Sequence, residues 1–141
     1  MTGRRDSANP VTWFRYAKED LECSVELLAR VRSGGSRVVP RHICWLAQQA
    51  VEKAMKAGMI ASGQQVERSH DLNDLRDRLA DNWGVKGRAE RLGWLSTWEV
   101  DGRYPGEGLL EPSLNDASEA VRLALIALDA IEDDLRTRGI R

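Results

Sequence analysis

The chain has 141 residues, of which 42% are apolar and 30% are charged, and its formal net charge is −1. That length suits one domain with a core that needs no covalent staples. The near-zero charge gives no bulk attraction to nucleic acid, which leaves only a local basic surface for such a role. The two cysteines exclude a disulfide framework, and no apolar run reaches the roughly 18–20 residues that cross a bilayer.

Residues 1–10, MTGRRDSANP, are polar and lack a hydrophobic signal core, so they are expected to form a flexible segment ahead of a single domain over 11–141. A reducing cytoplasm is the expected compartment. The first helix is predicted from Val11 to Arg32, with Thr12 as its N-cap and Phe14, Ala17, Leu21, Val25 and Leu28 as one buried stripe. Ser33-Gly34-Gly35-Ser36 ends it. The second helix is predicted from Pro40 to Ser62, because proline is tolerated in a first turn where its missing N–H has no partner to lose. Ile43, Leu46, Ala47, Ala50, Ala54, Ala57 and Ala61 form a stripe of mostly small residues, which lets a neighbouring helix approach closely. Gly63 stops this helix.

A short third helix is predicted from His70 to Asn82, capped by Ser69 or Asp71, with Leu72, Leu75 and Leu79 inward. The fourth runs from Val85 to Val100 with Leu92, Leu95 and the i, i+4 pair Trp94 and Trp98, until Asp101-Gly102 breaks it. Residues 103–108 read as an ordered loop. The fifth helix runs from Ser113 to Arg138. Leu114, Ala117, Val121, Ala124, Leu128, Ile131 and Leu135 keep one face, and Ser113 with Asp116 makes a capping box. No alternating apolar run competes as a strand. The expectation is all-α, an up-and-down antiparallel bundle of four to five helices. Five tryptophans are a high count for this length, and that residue favours cores and partner surfaces.

Gln49, Lys53 and Lys56 follow one another at spacings of four and three, so they share a helix face where an amide and two ammonium groups can grip phosphate oxygens. The competing reading is a solvated face on which Glu52 pairs with Lys56 at i, i+4. His70 is placed to order the turn before the third helix, and Asp71 to cap it. Arg103 and Tyr104 lie in a glycine-rich loop that Pro105 stiffens, which presents Arg103 either to a phosphate or partner or to the carbonyls ending the fourth helix. There is no phosphate-binding GxxxxGK(S/T) loop and no Cys/His spacing for zinc. No metal and no cofactor are therefore expected. A membrane-surface role lacks a basic amphipathic helix.

Residues 47–57 read AQQAVEKAMKA, Ser69-His70-Asp71-Leu72 follows about a dozen residues later, and Arg103-Tyr104-Pro105 precedes the last helix. Together with Ala17-Lys18-Glu19-Asp20-Leu21 in the first helix, these segments resemble four landmarks of the HEPN family (higher eukaryotes and prokaryotes nucleotide-binding), in the family's order. The resemblance implies a helical bundle, commonly a homodimer, and a frequent partnership with a separately encoded minimal nucleotidyltransferase in toxin–antitoxin or nucleotide-handling systems. It also raises the question of RNA cleavage, since many toxins of this family carry Arg-x(4–6)-His near the start of the last helix. The two histidines here are His42 and His70, so that position is empty. Arg37 and His42 match the spacing only at the start of the second helix. The resulting expectation is a non-catalytic nucleotide-binding or partner-binding module. A metal-independent ribonuclease toxin and a scaffold dimer without a small ligand are the alternatives.

Overall fold

Asparagine followed by proline starts the first helix, and this pair acts earlier than the expected Thr12 cap. In the computed structural model, which describes residues 8–66, 68–101 and 111–140, α1 spans Pro10–Arg32. The Asn9 side chain accepts from the Val11 N–H at 2.9 Å, and Pro10 occupies the first turn where no N–H is needed. Residues 9 and 10 of the expected flexible segment are thus part of the helix start. Ala17, Leu21 and Leu28 are buried as expected, but Val25 is exposed and Ser24 is buried in its place. The Ser24 hydroxyl is satisfied by the Leu21 carbonyl at 2.7 Å, so the helix's own backbone meets the polar group's demand for a partner.

Helix α2, Pro40–Ala61, lies at the centre of the molecule, packed against α1 and against the last helix. Its alanine stripe explains this position. Ala47, Ala50, Ala54 and Ala57 have no exposed surface, and small side chains allow helices to approach on both sides. Ile43, Met55 and Met59 are fully buried beside them, each contributing about 1.5–3 kcal/mol of burial free energy. Gly58 admits a ring: a Cβ at this position would lie 3.1 Å from Trp83, and the Arg138 guanidinium covers Trp83 at 3.9 Å from the ring centroid.

Helix α3 is shorter than predicted, Leu72–Asp77, and Asp71 caps it by accepting from the Asn73 and Asp74 N–H groups. The predicted fourth helix is three pieces, α4 at Val85–Arg88, α5 at Leu92–Ser96 and α6 at Trp98–Asp101. Ala89 is extended and Arg91 is left-handed at φ 49°, conformations that a continuous helix cannot contain. Two forces break it. Gly87 and Gly93 weaken the helix from within. The Asp134 carboxylate, meanwhile, accepts from the Gly84 and Val85 N–H groups at 2.7 and 3.0 Å and pins α4 to the last helix. The breaks let Val85, Leu92, Leu95 and Trp98 all reach the core.

Helix α7, Leu114–Thr137, closes the bundle, and both halves of the Ser113–Asp116 capping box form. The result is an all-helical bundle whose frame is α1, α2 and α7, with α3 to α6 packed across one part of it.

Candidate functional site

The polar residues of α2 occupy two different surroundings. Gln48, Glu52 and Lys56 follow at i, i+4 and i+8, which stacks them on one stripe of the helix. All three are buried, at 0%, 5% and 5% exposure. Gln48 Nε2 donates to Glu52 Oε1 at 3.0 Å, and Lys56 Nζ donates to Glu52 Oε2 at 2.9 Å. The segment before α3 brings His70 across this stripe. Its Nδ1 faces the two Glu52 oxygens at 3.0 and 3.1 Å. A carboxylate only accepts here, so Nδ1 carries the donated proton. Helix α6 adds Glu99, also buried, whose Oε1 lies 3.7 Å from the same nitrogen. Gln49 joins the two halves by donating to Gln48 Oε1 at 2.7 Å and to Glu99.

Burial pushes the Glu52 carboxyl upward. Hydrogen bonds from Lys56 and Gln48, the Lys56 charge and the His70 contact outweigh it, and hold the group below the usual carboxylate range. Glu52 is therefore an anion in a nearly dry place, sustained by three neighbours. His70 is the exposed member of the cluster, with 54% of its side chain accessible. One ligand atom each from Glu52, His70 and Glu99 lies within 4.8 Å of the others. The sequence holds no metal-ligand spacing because these three residues come from separate elements.

The predicted row of Gln49, Lys53 and Lys56 is divided by the fold. Lys56 turns inward to Glu52, Lys53 pairs with Asp20 of α1, and Gln49 serves Glu99. Lys56 is thus neither on a solvated face nor free for a phosphate, because burial has committed its charge to Glu52. Arg103, Tyr104 and Pro105 lie outside the described residues. Asp71 acts as a helix cap, and His70 bonds to α2. Glu99 and the depth of Glu52 are not anticipated by the sequence reading. The Gln48–Glu52–Lys56 spacing beside an alanine stripe is the available signal for Glu52, and Glu99 has none.

His42 is exposed near the start of α2, about 15 Å from position 52 by helix rise, so one chain does not join its two histidines. Arg41 beside it pairs with Glu111 at 3.1 Å. Cys44 is buried, and its thiol is pushed up to about 12, first by burial and then by the Asp116 charge. Cys23 is exposed.

A second feature is a groove between the start of α1 and the end of α7. Val11, Phe14, Leu135 and Ile140 form its apolar floor, Glu132 and Arg136 border it, and its volume is about 450 Å³. The same side continues past Lys18 to Leu125 and Leu128. On this side Val11 and Leu125 are 42% and 48% exposed, accessible apolar surface on two neighbouring helices. Among the described residues, no helix is long and apolar enough to cross a membrane.

Residues 11–134 match the family model described as HEPN domain. The crystal structure of TT1696 from Thermus thermophilus is similar, with a TM-score of 0.74 and 26% identity over 89% of this chain and 98% of that one. No curated protein matches the chain.

Proposed function

The chain belongs to the HEPN domain family, and from that premise we propose that it is a non-catalytic binding module that works as a homodimer with a separately encoded minimal nucleotidyltransferase. The observation that carries this reading is the α1–α7 groove, with exposed Val11 in its floor and exposed Leu125 on its continuation. We assign that face to a second copy of the chain. Its rim carries both signs of charge, with Arg15, Lys18 and Arg136 beside Glu19, Glu22, Asp129 and Glu132. A two-fold pairing sets a patch against itself, and a mixed-sign rim is complementary to its own copy. The nucleotidyltransferase partner, and a role in a toxin–antitoxin or nucleotide-handling pair, are the part of this proposal that rests on family resemblance alone.

Partner binding is favoured over phosphate binding at the Gln49, Lys53 and Lys56 row. A nucleotide there must separate Lys53 from Asp20 and Lys56 from Glu52 before it gains any contact. Breaking the second pair is expensive because it leaves a buried carboxylate short of its cation.

Multi-angle light scattering tests the dimer at micromolar concentration, alone and after mixing with a minimal nucleotidyltransferase. A dimer mass is expected, consistent with an interface of at least about 1,000 Å², followed by a larger complex with the transferase. Leu125→Glu places a charge on the exposed apolar face and should yield monomer without unfolding. A monomer mass for the unaltered chain refutes the dimer, and the absence of any mixed complex refutes the partnership.

A further inference from the structure

We propose that Glu52, Glu99 and His70 form a binding site for one divalent first-row transition ion, of the Zn²⁺ or Mn²⁺ class. The proposal rests on the geometry of the donor atoms. His70 Nδ1 is 3.0 Å from Glu52 Oε1 and 3.7 Å from Glu99 Oε1. Ligand atoms that share an ion at about 2.0–2.2 Å, with angles between tetrahedral and octahedral, stand about 3.0–3.5 Å apart. One donor from each residue already lies within 4.8 Å of the others. The 3.7 Å separation of His70 and Glu99 exceeds the upper end of that range by about 0.2 Å, which is within side-chain adjustment.

The surroundings are those of a prepared site. The carboxylates sit on two packed helices, α2 and α6, and both are buried. Each accepts from a carboxamide, Glu52 Oε1 from Gln48 and Glu99 Oε2 from Gln49. Such outer contacts fix the direction of a ligand and are part of its affinity. Lys56 holds Glu52 Oε2, and Oε1, which also accepts from Gln48, faces His70. The exposed imidazole gives the ion a way in from solvent and leaves room for water to complete the coordination.

The donor set selects the class of ion. One imidazole nitrogen with two carboxylates and no thiolate suits zinc, manganese or ferrous iron. Magnesium and calcium favour all-oxygen surroundings with six or more ligands. To bind, Nδ1 must present its lone pair, so its proton leaves for solvent or the ring proton resides on Nε2. This site is separate from the α1–α7 groove, and its test is independent of the oligomeric state.

The untagged chain is stripped with chelator and titrated calorimetrically with ZnCl₂ and with MnCl₂, and MgCl₂ serves as the contrasting ion. Thermal melts follow the same additions. One equivalent of Zn²⁺ or Mn²⁺ should bind saturably and raise the melting temperature, with no comparable effect of Mg²⁺. His70→Ala changes an exposed side chain and should leave the fold intact while weakening binding at least about tenfold. Glu99→Gln keeps the shape and should do the same. No saturable binding at millimolar ion overturns the proposal. So does binding of equal strength in His70→Ala, which would place the ion elsewhere, for example on exposed Cys23. If Glu99→Gln fails to fold, His70→Ala decides alone.

Discussion

Replacing Lys56 by methionine tests the buried network most directly. On an exposed helix face, losing a lysine that pairs at i, i+4 costs about 0.3–0.5 kcal/mol. Lys56 and Glu52 are each only 5% exposed, and their charged atoms are 2.9 Å apart. Removing one partner of a buried pair typically costs about 3–5 kcal/mol, because the other charge stays behind. Here Glu52 keeps its contacts with Gln48 and His70, so the expected loss is smaller, about 2–3 kcal/mol. For a chain of this size that is a fall of about 6–10 °C in melting temperature. Urea unfolding at pH 7 measures it for Lys56→Met, Glu52→Gln and the double variant. The double variant should recover about 1.5–2 kcal/mol of the summed single losses, since it leaves no unpaired charge. The acid limb gives a second readout. The Glu52 carboxyl lies below its ordinary value of 4.5 in the folded chain, so its contribution is present above that pH and is lost as pH falls through the lowered value. Without Lys56, burial acts with less opposition and the loss begins at higher pH. A cost under about 0.5 kcal/mol for Lys56→Met, with no coupling to Glu52→Gln, would refute the buried pair.

Two further predictions concern groups outside that network. The Glu119 carboxyl is held down to about 2 by hydrogen bonds from Arg122 and Arg91, against an ordinary 4.5. Its stabilisation is therefore complete above pH 4.5 and fades towards pH 2, and Glu119→Gln should flatten the stability-versus-pH curve in that window without changing its position at higher pH. Of the two thiols, only Cys23 should react with Ellman's reagent in the native chain, because Cys44 is buried and its pKa is pushed up to about 12. Denaturant should release the second equivalent, and two equivalents under native conditions would contradict the burial of Cys44.

The three long helices are legible in the sequence because their determinants are local. Pro40, Gly63 and the Ser113–Asp116 box mark ends through backbone hydrogen bonds within one turn, and the alanine stripe of α2 announces close packing wherever its partners come from. The start of α1 lies ahead of Thr12, since Asn9 with Pro10 outcompetes that residue for the same unpaired N–H groups. The HEPN landmarks are equally readable, and the family match over residues 11–134 includes all four of them.

Local chemistry along the chain thus sets the helical class, the three frame helices and the family. Packing between distant elements sets where the charges go and how the region before the last helix is cut. Apolar periodicity places Leu92, Leu95 and Trp98 inward, but the segment is divided by the Asp134 carboxylate, which reaches the Gly84 N–H from fifty residues away. Helical spacing likewise aligns Gln49, Lys53 and Lys56. Asp20 lies on α1 and draws Lys53 one way, while buried Glu52 draws Lys56 the other. A helix's period tells which of its residues are neighbours, because that is fixed by its own backbone. Whether a charged face meets water or another carboxylate depends on elements far along the chain, and only their packing settles it.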